Sequence, residues 1–371
     1  MNVLWLTWKD YTHPQAGGAE VVLRELSKRL VAEGHAVTFL TVQHPGSTAH
    51  EMLDGIEVIR VGTSRYFHPA QALAHYIRHM RNRYDVIIEV VNTLPYLAAL
   101  CKGTARAYVL YHQLAREVWF HEMKHPFSDL GYHIIEPVTT RLLSRAKAGL
   151  ITVSQSTLKD LQRFGFKADK AHIISEGIEI DVLDNLKKVR KFRQPTVLSL
   201  GAMRAMKRTI DQVKAFEIAR ETLPRLRLIM AGSTEGAYAQ QVLECIAKSP
   251  HRQHITVEGQ VSTDRKIELM QRSHVFTVTS VKEGWGLVVT EAASQGTPSV
   301  VYDVDGLRDS VRDEQTGIIC EPNPEELAAG IIRMLQDTER YQAMRNAAWE
   351  WSKEMTFERS YTDFKAAVEV A

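Results

Sequence analysis

The sequence predicts an α/β protein of two Rossmann-like, doubly wound domains. At 371 residues the chain exceeds one ordinary hydrophobic core. Continuous apolar strand segments alternate with helices, the pattern of parallel sheets covered on both faces. The alternation pauses at Glu176–Arg193 and then restarts with the same strand-to-glycine-loop opening. The expected domains are residues 1–184 and 185–355, facing a central cleft.

Val3–Thr7 reads as a buried strand, followed by a loop holding Pro14, Gly17 and Gly18. Ala19–Glu33 carries Val22, Leu23, Leu26 and Leu30 at helical spacing, and Gly34 ends that helix. Next come strand Ala36–Val42, strand Ile56–Val61, a helix from Pro69 to about Arg83, strand Asp85–Val91, a helix near Tyr96, and strand Ala107–Tyr111. In Glu176–Arg193 the cluster Lys187, Lys188, Arg190, Lys191 and Arg193 reads as a solvated connector. The second set is strand Thr196–Gly201, helix Thr209 to about Glu221, strand Arg227–Ala231, helix Tyr238–Ala247 and strand His254–Glu258. Strands Val275–Thr279, Ser299–Tyr302 and Gly317–Cys320 complete it.

The composition is that of a soluble globular chain. A net charge of +2 excludes a generic polyanion binder, so no nucleic-acid partner is expected. Cys101, Cys245 and Cys320 are dispersed and odd in number, which suggests a reducing compartment. The opening MNVLWLTW reads as a strand with no leader before it, and no apolar run approaches the ~18–20 residues that span a bilayer. The expected location is cytoplasmic, with peripheral attachment at the inner face of the cell membrane as a variant.

In such sheets ligands bind outside the carboxyl ends of the strands. That directs attention to Lys9–Gly18, His112, Gly201–Lys207 and Glu283–Gly286. The densest signal is Ser280–Glu291, SVKEGWGLVVTE. Glu283 and Glu291 are eight residues apart, ~12 Å along an axis if all of it were helical. They cannot grip one atom, but they can hold two hydroxyl clusters of an extended ligand such as a nucleotide diphosphate-sugar. Gly284 and Gly286, on either side of Trp285, let backbone N–H groups approach that ligand, and Leu287 opens a buried helix. A bland alternative leaves Glu291 solvating a helix face.

Arg204 and Lys207 follow the first strand of the second domain. On an opening helical turn they would share a face, a fork and a point charge suited to a diphosphate. Gly17-Gly18 precedes a helix N-terminus, which favours phosphate or a sugar oxygen, although an ordinary turn reads the same way. No G-x-G-x-x-G or Walker signature is present. His112 ends a strand and would point into the cleft.

Two patterns read as decoys. His121-Glu-Met-Lys-His125 matches H-E-x-x-H, but Pro126 disfavours helical geometry at His125, and Gly131 stands where a third zinc ligand would be needed. Asp303-Val-Asp305 resembles a metal-holding D-x-D, but its place before Gly306 suits a turn. No metal site and no cofactor are expected.

Taken together, HPQAGGAE, YHQ at His112, VSQSTLKDL, SEGIEID, SLGAMRAMKR and EGWGLVVTEAASQGTPSVV resemble the family 4 retaining glycosyltransferases of GT-B fold, from Trp5 to about Tyr361. The resemblance implies a metal-independent, retaining hexosyltransferase using a UDP- or GDP-sugar, with a cell-envelope glycan, lipid-linked or small-molecule acceptor. It implies that Arg204 and Lys207 neutralise the donor diphosphate, that Glu283 holds the transferred sugar and that Glu291 binds the ribose. Backbone N–H groups around Trp285–Leu287 would meet the sugar and distal phosphate. Gly17 and Gly18 would border that phosphate, and His112 would sit near the reacting centre. The last helix, residues 357–370, would return to the first domain, within a terminal segment 356–371. Two departures stand out: Glu176 replaces the usual asparagine, and Phe120–His133 matches no general pattern.

For the acceptor, Arg65-Tyr-Phe-His68, His75, Arg78, His79, Arg81 and Arg83, with Arg141, Arg145 and Lys147, suggest a basic aromatic surface for anionic lipid. A solvated helix face is the plain alternative. Rival functions are a nucleotide-sugar epimerase of similar shape and a non-catalytic nucleotide-sugar binding protein.

Overall fold

A computed structural model describes residues 1–64 and 67–368. The chain divides into two compact units, Met1–Gly177 with Thr356–Ala371, and Ile178–Met355.

The first unit is built on strands β1 (Asn2–Leu6), β2 (Ala36–Thr41), β3 (His50–Leu53), β4 (Ile56–Arg60), β5 (Val86–Val91), β6 (Arg106–Tyr111), β7 (Gly149–Thr152) and β8 (Ala171–Ile173). Their order across the sheet is β3-β4-β2-β1-β5-β6-β7-β8. All neighbours are parallel except β3 with β4. The strand order reverses between β1 and β5, where loops leaving the two carboxyl ends diverge and open a crevice. Helix Gly18–Ala32 buries Val22, Leu23, Leu26 and Leu30, as its 3–4 spacing requires. Helix Phe357–Val368 belongs to this unit. Phe364 stacks on Trp5 at 5.4 Å, and Arg29 donates to Glu358 at 2.7 Å. The expected extension of that helix past Val368 lies outside the described residues.

The second unit carries β9 (Thr196–Leu200), β10 (Arg227–Ala231), β11 (Ile255–Gly259), β12 (Val275–Val278), β13 (Ser299–Tyr302) and β14 (Gly317–Cys320). All are parallel, in the order β11-β10-β9-β12-β13-β14. Alternate residues feed two cores. Val197, Leu228, Val275, Val300 and Ile318 enter one, and Leu198, Ile229, Phe276 and Val301 the other. Burial on both faces explains why these strands read as unbroken apolar runs.

Several expectations are corrected. Strands β3, β7 and β8 were not foreseen: β3 is a half-exposed edge without an apolar run, and β7 and β8 are only four and three residues long. The helix expected from Pro69 to Arg83 is an α-helix over His68–His75 that widens into a π-turn over Tyr76–Met80. Near Tyr96 there is only a 3-10 turn, Ala98–Cys101. In the expected solvated connector, Lys191 is enclosed. Its ammonium donates to Ser273 O at 2.6 Å, Gly296 O at 2.8 Å and Thr297 Oγ1 at 2.7 Å. Burial, with the Arg345 charge, holds its pKa well below the ordinary lysine value. Arg65 and Tyr66 lie outside the described residues. His68 is buried, with its ring Nδ1 2.8 Å from Val61 O, so it belongs to the core and not to a basic surface. Among the described residues no helix is long and apolar enough to cross a membrane.

Candidate functional site

In the second unit the strand order reverses between β9 and β12, paired through Val197↔Val275 and Leu198↔Phe276. The loop leaving β9 carries Arg204 and Lys207, and the loop leaving β12 carries Glu283 and runs into the helix that holds Glu291. Topology, more than sequence proximity, thus brings the candidate residues together.

The loops are tied to each other. Val281 N donates to Met206 O at 2.8 Å, and Thr279 Oγ1 donates to Lys207 O at 2.7 Å. Lys207 closes a 3-10 turn, Ala205–Lys207, whereas Arg204 before it is exposed and extended, at φ −119° and ψ 151°. The helical face expected to be shared by Arg204 and Lys207 therefore does not form. Lys207 instead directs its ammonium to the carboxylate of Glu283, seventy-six residues along the chain. Ser280 Oγ donates to the same Glu283 oxygen at 2.6 Å.

The Glu283 backbone is held from a third loop. Its N–H donates to Asp305 O at 3.0 Å, and Gly306 follows at φ +80°. A Cβ at position 306 would stand 2.2 Å from Glu283 O and 2.9 Å from the Gly284 carbonyl carbon, so the close approach requires glycine. The acids of the D-x-D pattern are engaged within this turn. Asp303 Oδ1 accepts from Arg308 at 2.5 Å, and Asp305 accepts from Lys282 at 2.6 Å and Arg308 at 2.9 Å. Burial would raise the Asp305 pKa, but Lys282 and Arg308 together hold it below the usual range.

Gly286 caps helix Leu287–Ser294. The N–H groups of Trp285, Gly286 and Leu287 find no backbone acceptor among the described residues. They stand at a helix N-terminus, where orphan donors and the helix dipole favour an anion. The Trp285 indole packs toward Trp351, with ring centroids 6.1 Å apart. Glu291 lies in the second turn of the helix, buried, with Oε2 2.7 Å from Lys266 Nζ. Burial raises its pKa, and the Lys266 charge opposes that rise. Glu291 is thus no solvating surface group.

In the first unit, Gly17 and Gly18 are exposed and open helix Gly18–Ala32. The Gly17 N–H is taken by Glu20 at 2.7 Å, so one of the terminal donors is already satisfied. His112 follows β6 and is buried, with Nδ1 3.0 Å from Glu176 Oε1. The carboxylate of Glu176 can only accept, which assigns the Nδ1 proton to His112 and leaves Nε2, without a hydrogen-bond partner among the described residues, for another group. Glu176 and Lys266 were not singled out from sequence as site residues. Glu176 showed only as a departure from a pattern, and nothing local marks Lys266. Replacing Glu176 with Gln should release the ring tautomer; 15N-edited imidazole spectra should then show proton exchange between Nδ1 and Nε2 that the parent protein lacks.

The H-E-x-x-H pattern does not occupy one helix. Helix Val118–Glu122 ends before extended Met123, and His125 Nδ1 lies 2.7 Å from Asp129 Oδ2.

The chain matches two family models, Glycosyltransferase Family 4 over residues 16–182 and Glycosyl transferases group 1 over residues 184–351. It is 26% identical over 363 residues to an uncharacterized glycosyltransferase of Methanocaldococcus jannaschii, covering 91% of this chain and 90% of that one. It is 25% identical to the D-inositol 3-phosphate glycosyltransferase of Xylanimonas cellulosilytica, covering 82% and 80%. Among solved structures, sucrose-phosphate synthase from Thermosynechococcus elongatus superposes with a TM-score of 0.78 at 18% identity, covering 99% of this chain and 98% of that one. Anabaena HepE, solved with UDP and glucose, superposes at 0.75 and 17% identity, covering 100% and 99%. The two parallel-sheet units have the GT-B fold, and the chain belongs to the family 4 glycosyltransferases.

Proposed function

We propose that the chain transfers a hexosyl unit from a nucleotide diphosphate-sugar to an acceptor hydroxyl, with retention and without a divalent metal. The observation that carries this reading is the Lys207–Glu283 pair beside the open amides of Trp285–Leu287. Breaking the anomeric bond places negative charge on the departing diphosphate. Lys207, Arg204 and the helix N-terminus supply fixed positive potential for that charge. Glu283, held by Ser280 and by the Asp305 backbone, positions the sugar hydroxyls. Glu291 accepts from the ribose diol in a buried setting. On the first unit, Gly17 and Gly18 offer open backbone to a phosphate and His112 offers Nε2 to a reacting group. The acceptor hydroxyl attacks from the face the diphosphate leaves, and the diphosphate takes its proton. No carboxylate pair in the sequence marks a glycosidase-like double displacement.

Glu291 gives a direct test. Replacing it with Ala should raise the donor Kd by roughly 30–100-fold, the loss of charge-assisted hydrogen bonds to a diol. Because burial raises its pKa, the carboxylate form is lost at a higher pH than for a free glutamate. Donor KM should therefore climb as pH falls through that raised value, and Glu291→Gln should abolish this acid limb. An unchanged Kd and pH profile would remove Glu291 from the site.

A further inference from the structure

Within Val118–Ser144, which includes the unpatterned stretch Phe120–His133, no residue is assigned to the donor. After Val118–Glu122 the chain forms one helical run: Phe127–Leu130, a wider π-turn Gly131–Ile135, and Glu136–Ser144. Phe127, Leu130, Ile134, Val138 and Leu142 recur along it every three or four residues, the spacing of a single helix face. These five side chains are 40–61% exposed. The opposite side is pinned. Buried Glu136 accepts from Ala115 N at 2.6 Å and Arg116 N at 2.8 Å. At Gly131 an added Cβ would stand 2.2 Å from the Trp119 ring, so the backbone sits directly on that indole. The apolar face is therefore held outward by its own packing.

Two recesses adjoin the stripe. One is an apolar cavity of about 150 Å³ lined by Trp8, Leu94, Tyr96 and Trp119, with Phe127 and Leu130 of the stripe. Trp8 follows β1 and Leu94 follows β5, so the cavity lies at the first unit's strand reversal, where a doubly wound sheet takes its ligand. It is also next to β6, which His112 follows, since Val91 of β5 pairs with Tyr111 of β6. An apolar cavity of ~150 Å³ accepts a guest the size of benzene, or an equal length of hydrocarbon. The buried Tyr96 hydroxyl finds no hydrogen-bond partner among the described residues. The second recess is cationic, lined by Arg116, Arg141 and Arg163 with Tyr132 and Pro137 of the helical run. Arg163 bonds Asp160 at 3.0 Å and Arg116 lies 3.9 Å from Glu136, while Arg141 lies over Phe164 at 5.5 Å. Arg145 and Lys147 are exposed just beyond.

We propose that this face docks the chain on an anionic phospholipid bilayer: the stripe enters the acyl region, the arginine recess takes a lipid phosphate, and the cavity takes the hydrocarbon tail of a membrane-borne acceptor. The acceptor clause rests on the glycosyltransferase reading; the docking clause does not. A bilayer fits better than a second copy of the chain, because a twofold contact sets a patch against itself and would oppose the arginines.

Sedimentation with vesicles separates these clauses. Phosphatidylglycerol-containing vesicles should bind the protein in a salt-sensitive manner and phosphatidylcholine vesicles far less. Ile134→Gln with Val138→Gln should weaken binding at least tenfold. Arg141→Gln with Arg163→Gln should weaken it by about fivefold per arginine. All four side chains lie at the surface, so unchanged circular dichroism checks that each variant is folded. Brominated acyl chains should quench the indole emission, less so in Trp119→Phe. Failure to bind anionic vesicles, or binding indifferent to the stripe variants, overturns the docking face. Stripe variants that change only self-association overturn it in favour of a dimer contact. Vesicle binding without Trp119-dependent quenching overturns the cavity assignment alone.

Discussion

Replacing Glu283 with alanine should slow sugar transfer by ~10²-fold or more while changing donor Kd much less, since a misplaced sugar loses the reactive geometry and not the nucleotide contacts. Lys207→Ala should cost ~10²–10³-fold, the scale for removing a fixed charge from a developing anion. The two effects should not add. Lys207 and Glu283 are bonded to one another, so either single change releases the partner. Lys207→Ala in particular leaves a carboxylate without its cation beside the departing diphosphate. The double variant should therefore be no slower than Lys207→Ala alone. A double variant whose loss equals the product of the two singles would mean that the residues act separately.

Gly306→Ala should be among the most damaging changes outside the ligand contacts. The position combines φ +80° with a would-be Cβ 2.2 Å from Glu283 O, and backbone cannot yield as a flexible side chain does. A cost of ~3 kcal/mol is expected, which for a domain of this size lowers the melting temperature by roughly 6–12 °C. If the turn moves to relieve the clash, the Asp305–Glu283 backbone bond breaks and transfer falls with it. Thermal melts and kcat measured on the same preparation read both. A variant matching the parent in both would show that the turn does not position Glu283.

The architecture was legible where burial imposes a pattern. Val275, Phe276, Val300 and Val301 lie on strands covered on both faces, so their apolar runs appear directly in the sequence. The half-exposed edge β3 leaves no such trace. The crevice residues of the second unit were legible because glycines and charges follow strand ends there, and sheet order brings those ends together. The contacts between them were not. Lys207 meets Glu283 across seventy-six residues, and Lys266 meets Glu291 from another helix. His68 looked like part of a basic surface, but a hydrogen bond to Val61 holds it in the core. Lys191 looked solvated, but three oxygens enclose it. The stripe from Phe127 to Leu142 carries a helical spacing in the sequence, but its outward orientation does not show there, because the packing of Gly131 on Trp119 sets it.

The most direct test of the account is release of nucleoside diphosphate from a panel of UDP-, GDP- and ADP-sugars by the parent protein and by Glu283→Ala. The parent should release the diphosphate from one nucleotide series, and Glu283→Ala should bind that same donor yet release it ~10²-fold more slowly. Binding of no donor in any series, or equal release by the two proteins, would contradict the assignment of Lys207, Glu283 and Glu291 as the donor site.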